Sequence, residues 1–325
     1  MFVRASAGLI AVGLALSCGP QTPKKRYQLH NALPAYWEFL RHNAEAGPES
    51  AAKQFDVLVV EPRREIFSAV AAGWLTERNL GRMVRSLQGQ SDQLRRVERT
   101  FPDRLEKAWQ RFEHQAPALK AGAQVYLLPA PRSAVGGAVR PLKDRDIVVF
   151  GAEEIATTLG TKTGFDVLVH HELTHLYHQQ VNAEMRAMIA EVYLPPYEGR
   201  EAKLYQVLWL EGLAVYTSRL LNPRAPDKEV LLSEHVAAHV KARWPRLAAD
   251  IRDHLDSSRK ADIDLYLFDS DSRGTVPRRT GYFVGMLIAQ RLAKEYSYAE
   301  LCRLAGPKLR QEIERALRGL EKEGI

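Results

Sequence analysis

The spacing of apolar and polar positions changes character twice along the chain. Residues 34–44 and 63–90 carry the three-to-four-residue apolar spacing of helices that bury one face. Residues 91–115 read as a charged amphipathic helix, interrupted near Phe101-Pro102 because proline removes a helical hydrogen bond and crowds the preceding turn. Phe55–Val60 (FDVLVV) fits either a strand or the start of a helix. The period then shortens. Gln124–Leu128, Gly137–Val139 and Asp146–Phe150 are short β-branched or aromatic runs bounded by Pro and Gly, which predicts about three strands. From residue 152 onward the pattern is helical again, without internal repeat or low-complexity segment. Helices, a small sheet and more helices predict an α+β fold. It is mostly helical and forms one domain over residues 31–325, with a helical portion at 31–119 and a second portion at 120–325.

The beginning of the chain does not fit that domain. Arg4 precedes a small apolar run, Ala5 to Leu16, too short to span a bilayer as a helix but suited to the core of a secretory signal peptide at 1–17. Ala15-Leu16-Ser17-Cys18 resembles a bacterial lipobox, although that box prefers Leu where Ala15 stands; ordinary cleavage or a retained anchor are the alternatives. The expectation is an exported lipoprotein of the bacterial cell envelope, held to a membrane through a lipid on Cys18, with residues 18–30 as a tether. The only other cysteine is Cys302, in a late helical segment, so processing at Cys18 leaves no internal disulfide and no material for a cysteine-rich zinc site. Cys302 reads as a small core residue.

Composition narrows little further. Of 325 residues, 46% are hydrophobic and 26% charged, ordinary values for a soluble globular chain with ample core. The formal charge of +7 is mild, and the basic residues Arg95, Arg96, Arg99, Arg104, Lys107 and Arg111 alternate with Glu98, Asp103, Glu106 and Glu113 at helical spacing. That is a solvated, ion-paired face and not a nucleic-acid footprint.

The chemistry concentrates at residues 171–175, which read His171-Glu172-Leu173-Thr174-His175. Histidines at i and i+4 share one helix face and can bind a single ion, while the glutamate beside the first can hold a metal-bound water. On the helix 164–180, Phe165, Val169, Leu173 and Leu176 cluster opposite the two histidines, so the helix packs its back into a core. His178 falls near the same face but lies about 10.5 Å along the axis from His171, too far for one straight helix to bring all three to one ion, and is read as an outer or surface residue. His170 points away and reads as structural.

A catalytic zinc takes three protein ligands and keeps a position for water. The segment Trp209-Leu210-Glu211-Gly212-Leu213-Ala214-Val215-Tyr216 is apolar all round a helical wheel, so Glu211 is a carboxylate in a core-like setting, costly unless paired or metal-bound. It is the candidate third ligand, and Gly212 allows another helix to come close beside it. A second i, i+4 pair, His235 and His239, lacks the following glutamate and sits among charges, as an amphipathic surface helix would.

HExxH followed by a helix reading WLEGLAVY resembles the gluzincin group of zinc metallopeptidases, whose aminopeptidases carry a similar tryptophan-leucine-glutamate-glycine helix. Residues 176–210 give a longer spacing between the motifs than those aminopeptidases have, and 181–203, with Pro195-Pro196, reads as an inserted helix and loop. With Gly281-Tyr282-Phe283-Val284-Gly285, the pattern looks more like a family of predicted bacterial zinc-dependent proteases of poorly known substrate. The resemblance covers roughly 120–320. It implies a zincin-like fold with the small sheet next to the HExxH helix, one catalytic Zn2+ on His171, His175 and Glu211, and hydrolysis of a peptide or protein substrate. Glu172 would be the general base, with Tyr282, or secondly Tyr216, as oxyanion donor. It also implies that an edge strand, Gly137–Val139 or Asp146–Phe150, pairs with an extended substrate. Arg278 and Arg279 read as surface residues, or as ligands of a substrate carboxylate. A non-catalytic envelope protein that keeps the zincin fold for binding or assembly is the alternative.

Overall fold

A computed structural model describes residues 26–43, 47–192, 202–244, 246–268 and 276–325. The expected signal peptide, Cys18 and most of the expected tether lie outside these residues, as does 193–201 within the segment between the two motifs.

The sheet has four strands where the sequence predicts about three: β1 (Tyr27–Asn31), β2 (Ala123–Leu128), β3 (Gly137–Leu142) and β4 (Arg145–Gly151). Their order is β1-β2-β4-β3, with β1 and β4 parallel to β2 and β3 antiparallel to β4. The added strand is β1, so the tether cannot run to residue 30. Its register places Tyr27 opposite Ala123 and Asn31 opposite Leu127. Tyr27 packs at a tilt against Trp109, ring centroids 4.5 Å apart, and Asn31 Oδ1 accepts from Leu33 N to start the next helix, Leu33–Asn43. A five-residue strand with polar Gln28, His30 and Asn31 has too little apolar content to announce itself; its partner strand supplies the reason it exists.

The sheet position decides which strand can meet a ligand. β4 is interior and buried along Ile147–Phe150, whereas β3, like β1, is an edge strand. Of the two candidate substrate-pairing strands, the interior Asp146–Phe150 is therefore excluded and Gly137–Val139 stays.

Two other expectations change. Helix Ser91–Gln115 continues through Pro102. Leu94, Val97, Phe101, Leu105, Ala108 and Phe112 form an unbroken buried stripe, while Pro102 is exposed, so the carbonyl it leaves without a helical donor can be hydrated. The cost of a helix proline, about 3 kcal/mol, is offset by that packing. Phe55–Val60 resolves as helix. Pro48–Phe55 runs into a wider π-type turn at Asp56–Val60, which buries Phe55, Val59 and Val60 together. The 63–90 stretch splits into Arg64–Ala71 and Glu77–Gln88, with Thr76 capping the second helix.

The buried residues of the N-terminal helices, the sheet and the C-terminal helices form one continuous core. At its centre Phe101 makes edge-on contacts with Phe150 of β4 and with Phe165, ring centroids 5.7 and 5.9 Å apart. This cluster seats the HExxH helix, Gly164–Val181, against both the long 91–115 helix and the sheet.

Candidate metal centre

The HExxH helix begins where Thr161 Oγ1 accepts from Gly164 N at 3.0 Å, and it ends at the extended residue Asn182. Asn182 caps the following helix, Ala183–Val192, through Met185 N and donates to the carbonyls of Cys302 and Leu304. As the wheel predicts, Phe165, Val169, Leu173 and Leu176 are fully buried behind the histidines. His170 is also buried. Ala108 O can only accept, so His170 Nε2 donates to it (3.1 Å) and Nδ1 accepts from the Asn222 amide (2.8 Å). Burial pushes this imidazole down to about 4, and its role is structural.

The WLEG helix, Leu204–Leu221, lies alongside, tied by Ser218 Oγ donating to Val167 O at 3.0 Å. It carries Glu211 to the histidine pair. His171 Nε2 and His175 Nε2 are 3.1 Å apart, and Glu211 Oε2 is 3.3 and 3.7 Å from them. These three are the group of side chains among the described residues that is arranged to hold a metal ion. Burial alone would raise the Glu211 carboxyl, but the two imidazoles against it win and hold it well below the usual carboxylate range.

A third helix, Thr280–Leu292, completes the site. It crosses the WLEG helix at a glycine pair: a Cβ on Gly212 would lie 2.3 Å from the Gly285 carbonyl carbon, and one on Gly285 2.3 Å from Leu208 O. Only two glycines allow so close an approach. The crossing brings Tyr282 to the metal residues. Its ring stacks on His171 (6.4 Å, 16°), next to Glu211. Burial and the adjacent Glu211 raise its pKa well above the usual tyrosine value, so the phenol keeps its proton.

Glu172 is buried between the HExxH helix and the edge strand. A Cβ on Gly137 would sit 2.3 Å from Glu172 Oε1, so the strand backbone passes directly over the carboxyl. Burial pushes Glu172 up to about 7, His175 opposing the shift and Glu211 adding to it. His171, His175, Glu211, Tyr282 and Glu172 line a cleft of ≈ 740 Å³ walled on one side by Gly137–Arg140 of β3.

Several assignments change here. Tyr216 does not line the cleft: five residues beyond Glu211 it is turned about 140° round the helix. His178 is completely buried, which excludes a surface position, and it does not join the ligand group. Arg279 is half-buried and lines the cleft, whereas Arg278 is exposed and donates to Phe268 O at 2.7 Å. His235 is exposed just before the short helix Val236–Arg243, and the His235/His239 pair belongs to no group of three or more potential ligands among the described residues. Cys302 is a buried free thiol, as expected.

Residues the pattern did not single out also line the cleft. Arg140 is buried on β3 within reach of the Glu172 charge, and Arg132 pairs with the buried Glu154 at 2.6 Å. An arginine at the edge-strand end of Gly137–Val139 was the one available signal; the Arg132–Glu154 pair had none. No described helix is long and apolar enough to cross a membrane. Compared with known proteins, the chain matches no family model, no curated protein and no solved structure.

Proposed function

We propose that the chain is a zinc-dependent peptidase in which His171, His175 and Glu211 hold the ion and Glu172 is the general base. The observation that carries this reading is the ligand triangle with edges of 3.1, 3.3 and 3.7 Å. Ligand atoms bound tetrahedrally at zinc–nitrogen or zinc–oxygen distances lie about 3.3 Å apart, so the side chains already hold one face of such a tetrahedron. Two imidazoles and one carboxylate are also the donor set zinc favours at catalytic sites, with the fourth position open toward the cleft. Bound there, the ion supplies an acidified water and polarises the scissile carbonyl.

The protein's own groups do the rest. Glu172, held near neutrality, takes the water proton and delivers it to the leaving amine. Tyr282, protonated and beside Glu211, donates to the oxygen that becomes negative at the attacked carbon. The free edge of β3 supplies backbone groups for an extended peptide next to Glu172. Export and a lipid on Cys18 belong to the same proposal and rest on the sequence alone.

A non-catalytic scaffold has no need of an ionisable carboxyl buried beside the ion, and burying one is costly. Glu172→Gln decides between the two. The variant is expected to bind one zinc per chain and to cleave a peptide library roughly 10²–10⁴-fold more slowly than the zinc-loaded parent. Equal cleavage by both would remove Glu172 from its role, and no cleavage by either would favour the scaffold.

A further inference from the structure

Arg279 sits where the Tyr282 helix begins, with φ 66° and ψ 15°, in the left-handed region that side-chain-bearing residues rarely adopt. Such backbone persists only when its surroundings hold it, and it clusters at ligand sites. Here the restraints are visible. Thr280 N and Oγ1 both donate to Pro277 O, closing a tight turn, and Arg278 is tied outward to Phe268 O. The turn sends Arg279 the other way. Its guanidinium lies over the Tyr282 ring, 4.7 Å from the centroid, and that ring stacks in turn on the metal residue His171. The charge is thus held at the wall of the cleft, one aromatic ring away from the metal centre.

The other charges nearby are engaged. Arg132 forms the 2.6 Å ion pair with Glu154, Glu229 accepts from Thr163, and Lys228 faces Glu234 at 3.9 Å. Glu154 also feels the charge of Arg279, but no ion pair joins Arg279 to a carboxylate among the described residues. A guanidinium held over an aromatic ring at the wall of a cleft suits a planar two-oxygen anion.

We infer that Arg279 binds a carboxylate of the substrate, so that the cleft selects peptides with an acidic group close to the scissile bond. Resting on the peptidase reading for its substrate class, this adds which peptides are taken. The carboxylate is either a glutamate or aspartate side chain or a free C terminus; the chemistry at Arg279 is the same.

The test uses blocked alanine-rich hexapeptides in which each position in turn is glutamate or glutamine, together with the parent peptide as free acid and as amide. Binding is measured to Glu172→Gln protein, zinc-loaded and chelator-stripped, so that neither turnover nor a carboxylate on the ion enters the comparison. One glutamate position, or the free-acid terminus, is expected to bind roughly tenfold or more tightly than its neutral counterpart, in both metal states. Which of the two does so identifies the source of the carboxylate. Adding Arg279→Asn, a residue that tolerates left-handed backbone, should abolish the preference and leave neutral peptides bound as before; Arg279→Lys should keep part of it. No preference in the parent, a preference surviving Arg279→Asn, or an equal loss for acidic and neutral peptides would each overturn the inference, the last showing that Arg279 only supports Tyr282. If acidic peptides bind through Arg279 but the parent protein cleaves none, it is the peptidase reading that fails.

Discussion

The candidate metal centre depends on a place where it has no atoms of its own, the crossing of Gly212 and Gly285. Glu211 precedes one glycine and Tyr282 lies one turn before the other. In Gly285→Ala the new Cβ would lie 2.3 Å from Leu208 O and 2.7 Å from the Gly212 Cα, both backbone atoms that no side-chain rotation can move. Restoring an ordinary contact requires the helices to separate by about 1 Å. Overpacking of this kind costs about 1–3 kcal/mol, which in a chain of this size lowers the melting temperature by roughly 1.5–4.5 °C. The same shift is half the length of a zinc–oxygen bond of about 2.0–2.2 Å, so Glu211 is pulled from its position. Zinc affinity should fall about 10–100-fold, as it does when the support of a ligand is lost. Thermal melting with and without chelator, and zinc titration by competition with a chromophoric chelator, measure both effects. Gly89→Ala is the control: no atom lies within 4 Å of its Cβ and its φ is −70°. A Gly285→Ala protein that melts and binds zinc like the parent would show that the close crossing does not hold the site together.

Three further outcomes follow from the same geometry. Gly137→Ala puts a Cβ 2.3 Å from Glu172 Oε1, so Glu172 must move by about 1 Å; peptide turnover should fall on the order of 10²-fold with zinc content unchanged, and turnover within twofold of the parent would count against the edge-strand placement of the base. Glu211→Ala should no longer retain zinc through gel filtration, and stripping the parent should remove about 2.7 kcal/mol of stability at zinc a hundredfold above its dissociation constant; an undiminished zinc complement in the variant would exclude Glu211 as a ligand. Cys302 is fully buried and its thiol pushed up to about 12 by that burial, so alkylation at pH 8, located by peptide mapping, should occur at this site only as fast as the protein opens; rapid labelling of native protein would contradict the packing around it.

Much of the site was readable because it is local. The i, i+4 spacing of His171 and His175, the apolar back of their helix and the all-apolar surroundings of Glu211 are properties of single helices, and geometry within a helix follows from its sequence. The strands 123–128, 137–142 and 145–151 announced themselves by β-branched runs between turn residues for the same reason. What failed was non-local. Tyr27–Asn31 is a strand because β2 lies beside it, and Pro102 is tolerated because the stripe beneath it is buried; Tyr216 is the exception, since its turn away from Glu211 follows from helical spacing alone.

The sequence by itself determined which residues can serve as metal ligands, which helix faces are buried, and that an α+β chain would present HExxH on one of its helices. Only the tertiary structure decided that Glu211 reaches the histidines across 35 intervening residues, that β3 and not β4 is an edge strand, and that Arg279 lines the cleft. The physical reason is one of range. Helical periodicity constrains neighbours within a few residues, whereas the meeting of distant side chains is set by how closely whole elements can pack, here by two glycines at one helix crossing.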